Sequence, residues 1–275
     1  MQSRRALLRG VVGVAAAGAV GSFTYGQLRA DSGDDTPTAL VAGSLLALAA
    51  ETSGASVEAH GSGTVRHLVL DGLREPDVVA LADPSLFAGV TDAYTLFATN
   101  ALVLAYDPDS PHAAAIRRDW RRACTDPAIR VGRTDPDLDP LGYRTVLALE
   151  LDDELDAPAV LDQTRIFAET GLVNALEAGG VDAAFTYRNM AEERGLPIVD
   201  LPATLDFSDP AHADRYASVS YDLDGQTIRG APIRYGVAAL TPRGEAWAKA
   251  LASADGRLVA HGFSVPTSYP RMAAP

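Results

Sequence analysis

From Thr38 onward, short apolar runs alternate with segments whose apolar positions recur every three or four residues. That is the pattern of strands and helices in alternation. TALVAGS reads as a first strand breaking at Gly43, and LLALAAETSG as a short helix stopped by Gly54. SVEAHGSG reads as a second strand ending in a glycine-flanked serine, followed by a helix, TVRHLVLDGL, closed at Gly72. PDVVALAD carries a continuous apolar run, as a strand buried on both faces should.

Next comes AYTLFATNALVLAYDPD, two apolar runs broken near Asn100 and long enough to leave one lobe and enter another. A helix HAAAIRRDWRRAC and a strand AIRVG lead to the turn-rich run VGRTDPDLDPLGYRT. Pro136 and Pro140 lack amide donors and fix their own backbone angles, so this run is neither a regular helix nor a central strand. Helices YRTVLALELDDEL and TGLVNALEAG, strand VDAAFTY, helix NMAEERG and strand PIVDLP follow. A polar stretch, a strand IRYGVAAL and a helix GEAWAKALAS complete an α/β chain without internal repeats.

Composition narrows the function classes. The 275 residues carry a formal charge of −13, which argues against nucleic acid, since phosphate binding needs clustered cations. Lys249 is the only lysine, and the acidic residues are spread throughout. A diffuse acidic, lysine-poor surface fits a halophilic protein, although a GC-rich genome also favours arginine. Cys124 is the only cysteine, so an internal disulfide is excluded.

Residues 1–35 read as an export leader and tether. Ser3, Arg4, Arg5, Leu7 and Leu8 precede an apolar, glycine-rich run over residues 11–20, resembling a twin-arginine signal. Cleavage near Ala19 and retention as an anchor are both compatible with it. The polar DSGDDTPT that follows is a short tether.

Two stretches share a design that could carry chemistry. AGSL and HGSGT each end an apolar strand in Gly-Ser, with a helix starting at once. Serine there is ordinarily a helix cap, but such a turn also gathers amides, hydroxyls and a positive dipole suited to an oxyanion. Both turns fall at the carboxyl edge of a parallel sheet, where ligands of α/β sheets bind. Asp139 stands just outside a helix start, either as a cap or as a site group, and Tyr187 ends a strand leading into a helix. No G-x-S-x-G elbow, P-loop or H-E-x-x-H occurs. A Ser62–His60 nucleophile pair is the one hydrolytic alternative.

With these segments assembled, the chain resembles the archaeal tungstate/molybdate-binding proteins of ABC importers, in the type II periplasmic-binding-protein superfamily. The resemblance runs with gaps from about Leu40 to about Pro266. It rests on AGSL, HGSGTV, PDVVALAD, LFATNALVLAYDP, VGRTDPDLDPLGYRT, VDAAFTYRNMAEERGLPIVDLP, FSDPAHADRY and PIRYGV. The block GR-[ST]-DP-x-LDP-x-GYRT is the most specific of these. Family members are longer between AGSL and the second serine, so the first helix here is abbreviated.

The resemblance implies a two-lobed α/β fold, each lobe a mixed sheet flanked by helices, with a ligand cleft between. Residues 36–98 plus 228–275 would form one lobe and 99–227 the other. Ser44 and Ser62 would offer hydroxyls and amides from the first lobe. Asp139 and the backbone of Leu141, Gly142 and Tyr143 would approach from the second, with Asp139 able to contact the tungsten or molybdenum directly. Relatives set one aspartate and one glutamate against the metal, and the glutamate is expected just before the tyrosine of AF-E-Y-[KR]-S. That position is Thr186 here, which implies a tetrahedral anion held by Thr186 and Tyr187, or a five-coordinate centre keeping Asp139. A sulfate-like ligand is the alternative, with Asp139 protonated or turned away. No cofactor is implied. The partners implied are an ABC permease and ATPase, with a monomer working at the outer face of the cytoplasmic membrane; an exported hydrolase is the competing class.

Overall fold

The computed structural model describes residues 36–275, so the leader and tether expected over residues 1–35 lie outside the described residues. The chain enters through β1 (Thr38–Ala42), α1 (Leu46–Glu51), β2 (Ser56–His60), α2 (Ser62–Leu70), β3 (Val78–Leu81) and β4 (Tyr94–Thr99). It continues through β5 (Leu102–Tyr106), α3 (Ala113–Arg118), α4 (Trp120–Thr125), β6 (Val131–Thr134), α5 (Pro140–Leu151) and α6 (Ala157–Gln163). Then come β7 (Arg165–Phe167), α7 (Glu169–Glu177), β8 (Ala183–Tyr187), α8 (Arg188–Glu192), β9 (Ile198–Asp200) and α9 (Ala213–Tyr216). The last elements are β10 (Ser220–Leu223), β11 (Gln226–Arg229), β12 (Arg234–Ala239), α10 (Glu245–Ala252), α11 (Asp255–Ala260) and β13 (Arg271–Ala273).

Two mixed sheets organise these strands. The first runs β13-β4-β12-β3-β1-β2, with β1 parallel to both neighbours and β12 antiparallel to β3 and β4. The second runs β7-β6-β8-β5-β9, parallel at β6 and antiparallel at β5. Helices cover both, α2 and α10 on the first sheet and α5 and α7 on the second. That covering explains why the central strands β3, β5 and β8 are apolar at nearly every position: neither face meets water. One continuous apolar cluster joins the two halves.

The break expected near Asn100 is where the chain leaves the first sheet for the second. Asn100 accepts the Ala101 amide on its own side chain and donates through Nδ2 to Asn189 Oδ1 at 2.7 Å and to the Tyr235 hydroxyl at 3.2 Å. A buried amide with its donors and acceptor engaged fixes the crossing without leaving an orphaned polar group.

The sequence reading has no α6, β7, α9, α11 or β13, and three further departures have a local cause. HAAAIRRDWRRAC is two helices, because Asp119 adopts an extended conformation and its carboxylate caps α4 through the Arg122 amide. Helix α5 begins at Pro140 rather than Tyr143, since proline at a first helical position needs no amide partner. The polar stretch holds a hairpin, β10–β11, closed by Asp224 and Gly225 with φ of 51° and 78°. Positive φ at both positions marks the tight two-residue turn that matches strand twist. Among the described residues, no helix is long and apolar enough to cross a membrane.

Candidate functional site

Five strand ends meet between the two sheets. After β1, the turn at Gly43 and Ser44 presents its amides inward, and both go to one carboxylate. Gly43 N donates to Glu169 Oε2 at 3.0 Å and Ser44 N to Glu169 Oε1 at 3.3 Å. Ser44 is fully buried; its oxygen accepts from the Tyr235 hydroxyl at 3.1 Å and its carbonyl from Asn189 Nδ2 at 2.8 Å. After β2, Ser62 opens α2 and is equally buried, its oxygen accepting the Ala82 amide at 3.0 Å. The Ser62 hydroxyl therefore keeps its proton for another acceptor.

From the second sheet, Asp139 follows β6 and caps α5. Its Oδ1 accepts from the Thr134 hydroxyl at 2.8 Å and the Gly142 amide at 2.9 Å. The loop before it lies against the start of α2, where Thr64 N donates to Leu138 O at 3.0 Å. A Cβ on Gly61 would stand 2.5 Å from Leu138 O and 2.7 Å from Asp139 Cβ, so only glycine admits this approach. Gly142 is required for a similar reason. A Cβ there would lie 2.5 Å from the Asp135 carbonyl, and its contribution is close packing of the loop rather than unusual backbone angles.

Glu169 and Asp139 are both buried and act on each other electrostatically. Burial pushes the Asp139 carboxyl up to about 7, against the lowering effect of the Thr134, Gly142 and Leu141 bonds. Burial, then the neighbouring Asp139 charge, pushes Glu169 up to about 8, while Ser44 and the two turn amides pull it down. Two carboxyls facing each other in a desolvated space hold protons unless something positive joins them. A buried cation, Arg144, is engaged elsewhere. It pairs with Asp83 Oδ2 at 2.7 Å and donates to Ala82 O at 2.9 Å and to the Tyr187 hydroxyl at 2.8 Å.

The expected residues divide. Ser44, Ser62, Asp139 and Tyr187 converge, and Tyr187 accepts from Arg144 while donating to no acceptor among the described residues. Thr186 does not join them: successive strand residues face opposite ways, and its hydroxyl lies against Met190 Sδ at 3.5 Å. The Leu141 and Gly142 amides serve the Asp139 carboxylate, and the Tyr143 amide serves the Asp139 carbonyl. The Tyr143 hydroxyl donates to Asp83 Oδ2 at 2.7 Å. The Ser62–His60 pair does not form either, because the His60 ring bonds Glu58 at 2.7 Å.

Glu169, Asp83 and Arg144 were not singled out by the sequence. Glu169 had a signal, an acidic residue at a helix start after a strand, the same design as the serine turns. Asp83 had one too, in the Asp-Pro that caps the short 3-10 helix Pro84–Phe87. A cavity of about 320 Å³ opens beside Asp83, with Arg229 and Arg234 on its wall. It touches none of Ser44, Ser62, Asp139, Glu169 and Tyr187.

Comparison with known proteins gives a consistent result. The sequence profile of the bacterial extracellular solute-binding protein family matches residues 50–264. A Haloferax volcanii protein described as an ABC transporter molybdenum-binding protein is 46% identical over 289 residues, covering 98% of this chain and 93% of its own. A molybdate/tungstate-binding protein of Thermococcus kodakarensis is 31% identical over 221 residues, covering 66% of this chain and 62% of its own. Among solved structures, the periplasmic molybdate-binding protein of Azotobacter vinelandii has a TM-score of 0.60 at 14% identity. It covers 84% of this chain and 100% of that one, a likeness of fold.

Proposed function

The chain belongs to the bacterial extracellular solute-binding protein family, and from that premise we propose that it captures molybdate or tungstate outside the membrane for an ABC importer. The observation that carries this reading is the pair of buried carboxyls, Asp139 and Glu169, set against two Gly-Ser turns. Ionised carboxylates facing a dianion in a dry cleft only repel it, unless they bond its central atom. Molybdenum and tungsten accept additional oxygen ligands; sulfur in sulfate does not. The second carboxylate of the family pattern is supplied by Glu169, not by the position of Thr186.

The lobes are residues 36–98 with 228–275, and residues 99–227, which separate to admit the anion and close over it. In the closed form the Ser62 and Tyr187 hydroxyls donate to the oxyanion, while Asp139 and Glu169 approach the metal from the second lobe. Ser44 and the Gly43 amide orient Glu169 for that contact. The protein works as a monomer at the outer face of the cytoplasmic membrane, exported by its twin-arginine-type leader, and delivers its cargo to a permease and ATPase. The reading assigns the chain binding rather than catalysis, supported by a Ser62 oxygen that accepts the Ala82 amide and a His60 ring that bonds Glu58 instead of Ser62.

Titration calorimetry across molybdate, tungstate, sulfate and phosphate tests the assignment. Molybdate and tungstate bind, and X-ray absorption of the tungstate complex shows more than four oxygen neighbours. A protein that binds sulfate or phosphate but neither metal oxyanion overturns it.

A further inference from the structure

One buried ion pair lies across the cleft and outside the oxyanion contacts. Asp83 follows β3 in the first sheet; Tyr143 and Arg144 belong to α5, which covers the second. The Asp83 carboxylate is divided between the two halves. Oδ1 accepts the Ser85 amide at 2.9 Å and the Ser85 hydroxyl at 2.8 Å, which fixes the carboxylate to its own lobe. Oδ2 accepts from the Tyr143 hydroxyl and from Arg144 Nη2, each at 2.7 Å. The side chains of Arg144 and Asp83 are 2% and 10% exposed, so this is a dry contact between elements of different sheets.

We propose that Asp83 and Arg144 form a closure latch, an ion pair made across the cleft only when the lobes are together, which governs release of the oxyanion rather than its capture. The inference rests on the two-lobe reading above. Separating the lobes returns both charges to water, so the pair is close to neutral in free energy and does not hold the empty protein shut. Its effect lies in the exit step. Opening must break a desolvated pair and its hydroxyl bond before water can rehydrate them, which slows dissociation.

The latch is also joined to the anion site from both sides. Ala82 donates its amide to the Ser62 hydroxyl oxygen at 3.0 Å and accepts Arg144 Nη1 on its carbonyl at 2.9 Å. Arg144 Nη1 in turn occupies the Tyr187 oxygen at 2.8 Å, which leaves the Tyr187 proton for the ligand. An anion that draws Ser62 and Tyr187 together therefore brings Ala82 and Arg144 into register. Asp83 and Arg144 are positioning residues in this account and touch no ligand.

The test measures molybdate association by stopped flow, release by rapid filtration, and the radius of gyration with and without molybdate by solution scattering. Asp83→Asn leaves association within about threefold and speeds release by about thirtyfold or more, since loss of one partner of a buried charge pair acts on the dissociation rate. Tyr143→Phe, which keeps the ion pair and its packing, speeds release by about fivefold and decides the matter if Asp83→Asn does not fold. Wild-type release rates in both variants, or slower association with release unchanged, overturn the latch. A wild-type protein that does not contract on binding molybdate removes lobe closure itself, and the latch with it. A wild type that contracts alongside variants that release normally leaves closure standing and rejects the latch alone.

Discussion

Ser62 accepts the Ala82 amide at 3.0 Å and donates to nothing among the described residues, so its hydroxyl is oriented by one strand end and available to a ligand. Ser62→Ala should weaken molybdate binding by roughly 1–3 kcal/mol, the scale of a bond to a charged group. It should also strand the Ala82 amide and lower the melting temperature. Calorimetry and a thermal melt separate the two effects, and unchanged affinity would reduce this serine to a helix-start residue.

Glu169→Gln keeps the shape of the side chain and removes its charge. Molybdate affinity should fall by about tenfold or more, because a neutral amide is a poor ligand for a metal centre. Sulfate affinity should rise above about pH 8, where the substitution removes a repelling carboxylate, and hold below it, where Glu169 already carries its proton. Parallel titrations of the two anions decide it, and equal loss for both would count against metal contact.

Thr186→Val should leave molybdate affinity within about twofold, since the hydroxyl gives up only a weak sulfur acceptor. A tenfold loss would return Thr186 to the binding set.

The pH dependence follows from Asp139 and Glu169, whose carboxyls are raised from 3.8 to about 7 and from 4.5 to about 8. Asp139 faces Thr134, the Leu141 and Gly142 amides, Asp135 and Glu169; Glu169 faces Asp139, Gly43, Ser44, Tyr187 and Tyr235. In the unliganded protein the unfolded chain loses these protons first. Their contribution to stability is therefore complete below about pH 4 and declines as pH rises through about 7 and 8. Molybdate bonded through ionised carboxylates should bind more tightly across the same rise, and sulfate, which needs the protons, less tightly. Titrations at pH 6, 7, 8 and 9, chosen to span roughly these values, check both slopes, and parallel slopes would contradict metal contact.

Much of this fold was legible because its central strands are buried on both faces and its helices begin at marked turns. Local signals failed where the deciding contact is remote. Glu169 meets Ser44 across 125 positions, whereas Thr186 could have been set aside from the strand alone, because alternation along VDAAFTY puts it and Tyr187 on opposite faces. The β10–β11 hairpin carried a readable cue, the Asp224-Gly225 pair, hidden in a polar stretch without strong alternation. Gly61 was read as part of a serine turn, yet what demands it is Leu138 from the loop between β6 and α5. Acidic, lysine-poor composition, by contrast, needed no structure, and it accords with the relative from Haloferax volcanii.

The fit between Gly43 and Glu169 leaves a trace that an alignment of relatives could expose. A methyl group at position 43 would press to 2.9 Å from Glu169 Oε2. Natural variation at these two places should therefore be correlated. Chains that retain the acid keep glycine at the turn, and lineages that abandon one become free to change the other.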